Sequence, residues 1–425
     1  MKLKPAVLAA LYLVLAPPAF AAIIGTNVPA NPLTAQRVSA LPEWKTYFEN
    51  SERQRQIDQA SLRAELKASG LTQATLPHKT HNAGGLSLKA SADWYASNEA
   101  RHIADVVVSF QTPAGGWSKN TDYAREPRTP GEMYGTENGS LFVGTNDFDV
   151  PVDPHWDYVG TFDNDATTTE LAFLAKVIAA NKTQTNAWQT SFLHGLDYVF
   201  AAQYPNGGWP QVWPLQGGYH DNITINDDAM LQILQLLHGV AGGQDEFTFV
   251  PAETRARARA SFQRGMDCLL AAQAVVNGKR TAWCQQYDAI TLAPASARNY
   301  EMPSLTSSES AMIVLFLMSL PNSTPDEVAA VHGACAWFKK TEIMGWEFKK
   351  TFAQGRMLVA APGSGPLWAR YYEIGTDRPI FGDRDKTIHD DVADLSKERR
   401  NGYGWYRDTP KRVLEHYAKW ARQHP

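Results

Sequence analysis

The sequence Gln-Tyr-Pro-Asn-Gly-Gly-Trp-Pro-Gln-Val-Trp at residues 203–213 decides the fold, together with Thr-Ile-Asn-Asp-Asp-Ala-Met-Leu-Gln-Ile-Leu-Gln-Leu-Leu at 224–237. The first stretch begins at the end of a predicted helix. It continues into a turn at Asn206, which two glycines follow. An acidic segment at 226–228 then starts a second helix. The spacing therefore predicts a unit made of a helix, a tryptophan-bearing loop and another helix.

The same order of features appears upstream of this stretch and, in weaker form, downstream. Upstream, residues 111–119 read Gln-Thr-Pro-Ala-Gly-Gly-Trp-Ser-Lys, and an acidic start follows at 163–165. Downstream, a helix end at 269–273 leads to Trp283 and then to a helix start at 308–311. Three such copies predict a stack of helical hairpins around a shared core.

Helical periodicity continues through most of the chain, whereas strand alternation is nearly absent. Helices are predicted at 44–69, 91–110, 187–202, 229–237, 253–273 and 308–320. The sequence therefore predicts an all-α fold with long irregular loops. Since no linker rich in Pro, Gly or Ser divides it, we expect a lead-in and packing segment at 22–90 and one helical domain at 91–425.

Residues 1–21 have the composition of an export signal. Two lysines precede an apolar run at 6–16, and Ala-Phe-Ala at 19–21 forms a cleavage site. A run of about eleven apolar residues is too short to span a bilayer, and two prolines at 17–18 would end a core helix early. We expect a cleaved signal peptide and a secreted protein, with retention in the periplasm as the alternative.

Three cysteines, Cys268, Cys284 and Cys335, show no Cys-x-x-Cys spacing, so the sequence does not predict a zinc site. In an exported protein Cys268 and Cys284 could form a disulfide. The sequence leaves that pairing and free thiols equally open, because the spacing does not give the geometry.

Charge is distributed unevenly along the mature chain. Residues 22–336 contain 21 Lys and Arg against 32 Asp and Glu, whereas residues 337–425 contain 17 against 12. A basic end on an acidic body favours a polyanionic partner, and the export signal favours an anionic polysaccharide over nucleic acid. Cations that merely solvate helix faces are the alternative explanation.

The acidic helix starts at 163–165 and 226–228 also have two interpretations. Asp and Asn are preferred helix caps, but one capping residue is enough and each segment contains three. Corresponding helices of successive repeats present the same end to one cavity. Carboxylate and amide oxygens that converge there suit a hard divalent cation, calcium more than zinc.

Aromatic and arginine-bearing loops complete the candidate site. Trp117, Trp209 and Trp213 follow glycine turns, where they could stack on ligand rings or pack between helices. Loops at 298–301, 366–386 and 399–406 contain arginines, whose planar guanidinium groups suit bidentate recognition of carboxylates. Structural ion pairs are the alternative for each arginine.

The segment from residue 111 to 406 resembles the family-ten pectate lyases, which are secreted bacterial enzymes. The resemblance is carried by Gly-Gly-Trp-Ser-Lys at 115–119, Phe-Asp-Asn-Asp at 162–165, Ile-Asn-Asp-Asp-Ala at 225–229, Trp-Cys-Gln-Gln-Tyr at 283–287, Arg-Asn-Tyr-Glu at 298–301, Leu-Trp-Ala-Arg-Tyr-Tyr-Glu at 367–373, Phe-Gly-Asp-Arg at 381–384 and Arg-Asn-Gly-Tyr-Gly-Trp-Tyr at 400–406. It implies an incomplete (α/α) toroid that cleaves polygalacturonate by calcium-dependent β-elimination, with 91–425 as the catalytic domain. A monomer without nucleic-acid or membrane partners is expected.

The resemblance also implies a role for individual residues. It identifies the catalytic base as Arg384, the substrate-binding residues as Arg298, Arg370 and Lys119, and the calcium ligands as Asp163, Asn164 and one of Asp227 or Asp228. Arginine is an unusual base because its ordinary pKa keeps it protonated. Crowding by other cations and alkaline conditions would increase its neutral fraction.

Three other functions are compatible with parts of the sequence. An inverting glycoside hydrolase on the same toroid could use Asp163, Asp228 or Glu301 as acid and base. The spacing Gln-x-x-x-Gly-x-Trp also occurs in terpenoid cyclases, but those need a greasy cavity and the loops here are polar. A non-catalytic glycan-binding protein is the third alternative.

Overall fold

A computed structural model describes residues 22–80, 83–136, 147–148, 157–181, 183, 185–352 and 354–425. The predicted signal peptide at 1–21 lies outside the described residues. The α-helices are, in chain order, α1 (Ala35–Val38), α2 (Pro42–Ala68), α3 (Ala92–Tyr95), α4 (Asn98–Ser109), α5 (Thr168–Ala180), α6 (Asn186–Ala202), α7 (Ala229–Gly242), α8 (Ala252–Ala272), α9 (Ser307–Ser319), α10 (Pro325–Thr341), α11 (Lys397–Gly402) and α12 (Thr409–Trp420).

The long helices pack as antiparallel pairs. α5 contacts α6, α7 contacts α8, and α9 contacts both α10 and α12. Each pair buries one apolar face against the next, because a helical hairpin cannot cover its hydrophobic residues alone. The predicted helices are present within a few residues of their expected ends, except that 91–110 forms the two helices α3 and α4. The Ser97 hydroxyl accepts a hydrogen bond from Ala100 N and starts α4, which divides the segment.

Short β-strands connect the helices. They are β1 (Ile23–Thr26), β2 (Gly160–Thr161), β3 (Val212–Trp213), β4 (Ile223–Thr224), β5 (Val275–Val276), β6 (Lys279–Arg280), β7 (Trp283–Cys284), β8 (Gln286–Tyr287), β9 (Leu305–Thr306), β10 (Trp346–Thr351), β11 (Gly355–Ala360), β12 (Trp368–Ala369), β13 (Tyr371–Tyr372), β14 (Phe381–Gly382), β15 (Thr387–His389) and β16 (Tyr406–Arg407). Their small sheets have the orders β1-β15-β14, β13-β9-β7, β10-β11, β12-β16, β2-β3, β4-β8 and β5-β6.

The predicted all-α class, with its incomplete (α/α) toroid, is wrong, because the described residues are 46% helix and 14% strand. Most strands contain two residues, a length at which apolar and polar positions cannot alternate visibly. Several pair with strands that are distant in sequence, as β2 with β3, β4 with β8 and β12 with β16, whereas β5-β6, β10-β11 and β14-β15 are local hairpins. The hairpin of β10 and β11 is the largest departure, with six residues in each strand.

The repeated glutamine has a structural role in all three copies of the helix-loop unit. Its side-chain amide donates to a carbonyl in its own loop and to a carbonyl in a later helix. The pairs of acceptors are Gly115 and Ser191 for Gln111, Gly207 and Ser261 for Gln203, and Thr281 and Ala330 for Gln273. Each glutamine therefore ties its loop to a neighbouring hairpin, which explains the repeat in packing terms.

The loop tryptophans are buried packing residues. The indole N–H groups of Trp117, Trp209 and Trp283 donate to carbonyls near the end of the preceding helix, at 2.7, 2.9 and 2.7 Å. Trp213 is also buried, against the ring of Tyr198. Because their rings are enclosed, the interpretation of these tryptophans as helix-packing residues is the one that the structure supports.

Replacing Gln203 by alanine is expected to lower the free energy of unfolding by about 2–4 kcal/mol. The substitution removes two donated bonds and leaves the Gly207 and Ser261 carbonyls buried without that partner. Chemical denaturation measures the effect. Turnover per folded molecule should stay at the wild-type value, and a variant of unchanged stability would contradict this role.

One hydrophobic core contains residues from the lead-in segment and from all the helical hairpins. Trp44 and Tyr47 of α2 pack against Tyr204, and the Tyr47 hydroxyl donates to the Ala202 carbonyl at 2.9 Å. The division at residue 90 stays a prediction. Cys268, Cys284 and Cys335 are buried and free, so the pairing of Cys268 with Cys284 is absent. None of the helices in the described residues has the length and apolar character that a membrane span requires.

Candidate active site

Two acidic turns at the starts of α5 and α7 contact each other. The first acidic turn is Asp163–Asp165 and the second acidic turn is Asn226–Asp228. Asn164 and Asp165 in the first, and Asp227 and Asp228 in the second, have φ values between 51° and 64°. Left-handed backbone at four residues other than glycine is costly, and such conformations concentrate at functional sites.

These acidic residues do not act as helix caps. The residues that precede α5 and α7 are Thr167 and Asp228, and neither makes a side-chain capping hydrogen bond. Helix capping therefore does not explain why three acidic or amide side chains occur in each turn. The carboxylates instead lie in a shared, partly buried space.

A lysine and an arginine act on the first acidic turn. Lys119 Nζ lies 2.5 Å from Asp163 Oδ2, and the Asp163 N–H donates to Thr161 Oγ1. Burial acts to raise the pKa of Asp163, but the charges of Lys119 and Arg298 outweigh it, and the net pKa lies below the ordinary value. Asp163 is therefore a carboxylate at neutral pH.

The second acidic turn has an excess of negative charge. Burial, followed by the charge of Asp163, raises the pKa of Asp227 to about 6, although Arg370 and Arg298 act in the opposite direction. Burial, Glu309 and Asp227 raise the pKa of Asp228 to about 7. Carboxylates that raise one another's pKa values form a site where an added cation would be stabilising.

Arg370 is held against the second acidic turn by the sheet β13-β9-β7. Arg370 lies between β12 and β13. Strand β9 leads directly into α9, which begins with Ser307 and contains Glu309. Arg370 Nη2 donates to Glu309 Oε1 at 2.7 Å and to Asn226 Oδ1 at 3.1 Å, and it lies 3.8 Å from Asp227 Oδ1. Short sheets thus bring together residues that are far apart in sequence.

Arg298 makes a bidentate ion pair with Glu301. Its Nε and Nη2 donate to the two carboxylate oxygens at 2.8 and 2.6 Å. Burial disfavours the charge of Arg298, but Glu301 outweighs that effect and raises the arginine pKa. The same pair keeps the pKa of Glu301 below its ordinary value in spite of burial. Glu301 is therefore poorly suited to donate a proton as a general acid.

A hydrogen-bond network joins the two arginine sites. Tyr403 donates to Glu301 Oε1 at 2.6 Å, and its hydroxyl lies 2.6 Å from that of Tyr371. Tyr371 in turn donates to Gln285 Oε1 at 2.5 Å, and the Gln285 amide donates to Asn226 Oδ1. The network fixes Arg298 and the second acidic turn relative to each other.

Arg384 lies beside Tyr300, which is also close to Arg298. The guanidinium carbons of Arg298 and Arg384 are 5.2 and 5.1 Å from the Tyr300 ring centroid. Arg384 Nε donates to Glu398 Oε2 of α11 at 3.1 Å. Arg399, 4.1 Å from the same ring centroid, is buried, and within the described residues its Nε and Nη1 atoms have no hydrogen-bond partner.

A polar cavity of about 360 Å³ opens beside the second acidic turn. It is lined by Asp227, Asp228, Glu309, Arg370 and Arg407, among others. The structure therefore places carboxylates, an arginine and open space side by side. Such an arrangement can hold a cation and an anionic ligand together.

The residues present fit a hard divalent cation. Within the described residues, no group of three or more His, Cys, Asp or Glu side chains is arranged as a complete metal site. The two turns offer a mixed set of carboxylates and the Asn164 amide, and water or a ligand carboxylate would complete it. All these donors are oxygens, which favours calcium over zinc.

Sequence reasoning missed several residues of the site. Glu309, Asn226, Gln285 and Tyr403 hold Arg370 and Glu301 in place. Each lies within a motif that the sequence offered, at 225–229, 283–287, 308–311 and 400–406, but the motif did not indicate its role. Their partners are between 24 and 144 residues away along the chain, so no local spacing could identify them.

Comparisons with known proteins identify the family of the chain. The model of the family described as pectic acid lyase matches residues 111–414. A family 10 polysaccharide lyase from Cellvibrio cellulosa is 32% identical, with a TM-score of 0.65, over 80% of this chain and 99% of that chain. A mutant of that lyase in complex with trigalacturonic acid is 32% identical, with a TM-score of 0.64, over 79% of this chain and 98% of that chain. No curated protein matches the chain.

The matched family segment includes both acidic turns and the three arginines of the candidate site. The solved relatives share about a third of the sequence over nearly their whole length, which is too extensive to reflect the fold alone. The chain therefore belongs to the pectic acid lyase family and is a pectate lyase.

Proposed function

We propose that this pectate lyase cleaves α-1,4-linked polygalacturonate by calcium-dependent β-elimination. The observation that carries the proposal is that two carboxylate-rich turns contact each other. The charges of two arginines, Arg298 and Arg370, act on this pair of turns. The complex of the Cellvibrio relative with trigalacturonic acid supports the substrate class. The products would be unsaturated at the new non-reducing end.

Asp163, Asn164 and Asp227 would hold the calcium ion, with Asp228 as the alternative to Asp227. When bound, calcium would neutralise a galacturonate carboxylate and stabilise the negative charge that develops as the neighbouring carbon loses its proton. The mutual repulsion of Asp163 and Asp227 supports this donor set, since it is relieved by a divalent cation.

Lys119 and Arg370 would bind substrate carboxylates. Lys119 is paired with Asp163 at 2.5 Å, and a cation on Asp163 would weaken that pair and free the amine for an anionic ligand. Arg370 presents its guanidinium at the cavity wall. Its Nε atom is buried and has no hydrogen-bond partner within the described residues.

We further propose Arg298 as the group that removes the C5 proton. Position is the first requirement of a base, and the Arg298 charge acts on Asp163 and Asp227, one carboxylate in each turn. The ion pair with Glu301 opposes this role, whereas nearby cations would favour it. The resemblance pointed instead to Arg384, beside the same tyrosine ring, and that assignment stays a prediction.

The elimination balances without a further reactant. Arg298, after losing a proton to solvent, takes the C5 proton in its neutral form while the electron pair of that C–H bond forms the double bond between C4 and C5. The C4–O bond breaks, and the leaving glycosidic oxygen takes a proton from water. The arginine then returns its proton to solvent.

The inverting hydrolase is the second candidate function, and the structure leaves it a single candidate proton donor, Asp228. Glu301 is clamped as an ionised carboxylate by Arg298, and Asp163 by Lys119. Neither is therefore suited to protonate a leaving oxygen, and of the three candidates only Asp228, whose pKa burial raises to about 7, could act as the acid.

Incubation with polygalacturonate is expected to raise the ultraviolet absorbance, because elimination makes a double bond conjugated with the carboxylate. The rise should depend on calcium and disappear with a chelator. New reducing ends without an absorbance change would indicate hydrolysis. Absence of both products would indicate a protein that only binds the glycan.

We also propose that the protein is secreted and acts as a monomer. The support for secretion is the composition of residues 1–21, and the periplasm is the alternative location. Expression of the full chain followed by fractionation of the cells and culture medium tests it. Light scattering of the mature chain tests the monomer.

A further inference from the structure

The hairpin of β10 and β11 contains a pair of cations that the fold does not explain. Lys350 and Arg356 are direct partners in the antiparallel ladder, so their side chains project from the same face. Both residues are exposed, and within the described residues neither side chain has a hydrogen-bonding or ionic partner. Like charges directly opposite each other destabilise a hairpin.

The face of the hairpin that contains these cations packs on the protein at Phe348 and is exposed at the two cations. Phe348 lies on the same face as Lys350, two residues away, and its ring packs 5.2 Å from that of Tyr406. Lys349 lies on the opposite face and pairs with Glu347 at 2.9 Å. The hairpin therefore has one face with balanced charges and one with unbalanced positive charge.

α11 connects this face with the active site. At one end Glu398 pairs with Arg384 at 3.1 Å. At the other, Asn401 Oδ1 accepts from Arg356 N at 2.7 Å, and Arg400 donates to the Gln354 carbonyl at 2.9 Å. The helix has six residues, so the two regions are about 10 Å apart along it.

The hairpin strands and α11 together contain six cations and two carboxylates. Both carboxylates are already paired, Glu347 with Lys349 and Glu398 with Arg384. Arg400 donates to carbonyl oxygens, which leaves its charge uncompensated. The hairpin strands and α11 therefore have four more cations than carboxylates, and this chemistry fits a linear polyanion.

We propose that Lys350 and Arg356 bind carboxylates of the polygalacturonate chain beyond the units held at the reacting site. The inference rests on the proposed function and adds distal subsites to it. A trimer has too few carboxylates to fill the reacting site and the hairpin together, whereas a polymer can occupy both. The two cations thus favour long substrates and internal cleavage.

The test compares the double variant Lys350→Ala/Arg356→Ala with the wild type on polygalacturonate and on trigalacturonate. We expect kcat/KM on the polymer to fall about tenfold at low ionic strength, since each exposed ion pair contributes up to about fivefold. The value on the trimer should change by less than about twofold. High salt should remove most of the difference. Because a repulsive pair is lost, the melting temperature should be unchanged or higher.

A matched control removes two cations elsewhere, as Lys349→Ala/Lys419→Ala. Lys349 lies on the balanced face of the hairpin and Lys419 on the exposed side of α12. The control should behave as the wild type on both substrates. Equal losses on polymer and trimer, no loss on the polymer, or the same loss in the control would each overturn the proposal. Failure of the wild type to act on either substrate would instead overturn the proposed function.

Discussion

Arg298→Lys is expected to lower kcat on polygalacturonate by about a hundred- to ten-thousand-fold, the range typical of a lost general base. Lysine keeps the positive charge near both acidic turns but cannot place a nitrogen where the guanidinium lies. Substrate affinity should therefore change much less than kcat. Direct binding of trigalacturonate and the initial rate of absorbance increase measure the two effects separately.

Arg384→Lys is the comparison that makes this prediction decisive. Arg384 pairs with Glu398 in α11, whose side chain is 49% exposed, so this ion pair contributes little stability. If Arg298 is the base, Arg384→Lys should mainly raise KM. A large loss of kcat in Arg384→Lys together with a nearly active Arg298→Lys would return the base assignment to Arg384.

Stability must be measured in the same experiment, because Arg298 also has a structural partner. Lysine offers Glu301 one ionic contact in place of the two made by Arg298 Nε and Nη2. We expect a loss of about 1–3 kcal/mol in the free energy of unfolding. Rates should therefore be compared at equal folded fraction.

The helical part of the fold could be predicted because its signals are local. The copies of glutamine, glycine turn and tryptophan mark helix ends that the structure places at Ser109, Ala202 and Ala272. The sequence also indicated that these units repeat. It left the role of the tryptophans open, and the structure shows why, since the indole N–H bonds depend on the final packing of the loop against the helix.

Many of the strands could not be predicted because their partners are not local. β9 pairs with β7 and β13, so Thr306 lies opposite both Trp283 and Tyr371. β10 and β11 mix charged and apolar residues on each face, which hides the period of two. An all-α prediction follows naturally when only long periodic segments are counted.

The site was predictable in composition but not in connectivity. The unusual number of acidic residues in the turns at 163–165 and 226–228 was visible in the sequence. The contact between these turns, and the ion pair of Arg370 with Glu309, depend on how the hairpins pack. Motifs therefore identified the residue types, and only the fold shows which of them act on one another.

Asp227→Asn is expected to reduce elimination by about a hundredfold or more and to remove the stabilisation of the protein by calcium. The substitution removes one carboxylate ligand of the metal. A bound metal stabilises the transition state by several kcal/mol, and each 1.36 kcal/mol of activation free energy corresponds to a tenfold change in rate. The Asp227 side chain is 41% exposed, so the fold should tolerate the change. Thermal unfolding with and without calcium gives a readout that does not depend on activity.

The difference in stability between Asp227→Asn and the wild type should depend on calcium. Without calcium the variant should be at least as stable as the wild type, and with calcium it should be less stable. Asp163 and Asp227 repel each other in the free protein, so the amide should leave the metal-free variant at least as stable as the wild type. At calcium concentrations about a hundred times its dissociation constant, the wild type should gain about 2.7 kcal/mol and the variant much less. Asp267→Asn, on the exposed face of α8, is the control for loss of one charge. An Asp227→Asn protein that calcium still stabilises fully would move the ligand assignment to Asp228, because that carboxylate lies in the same turn and shares the excess of negative charge.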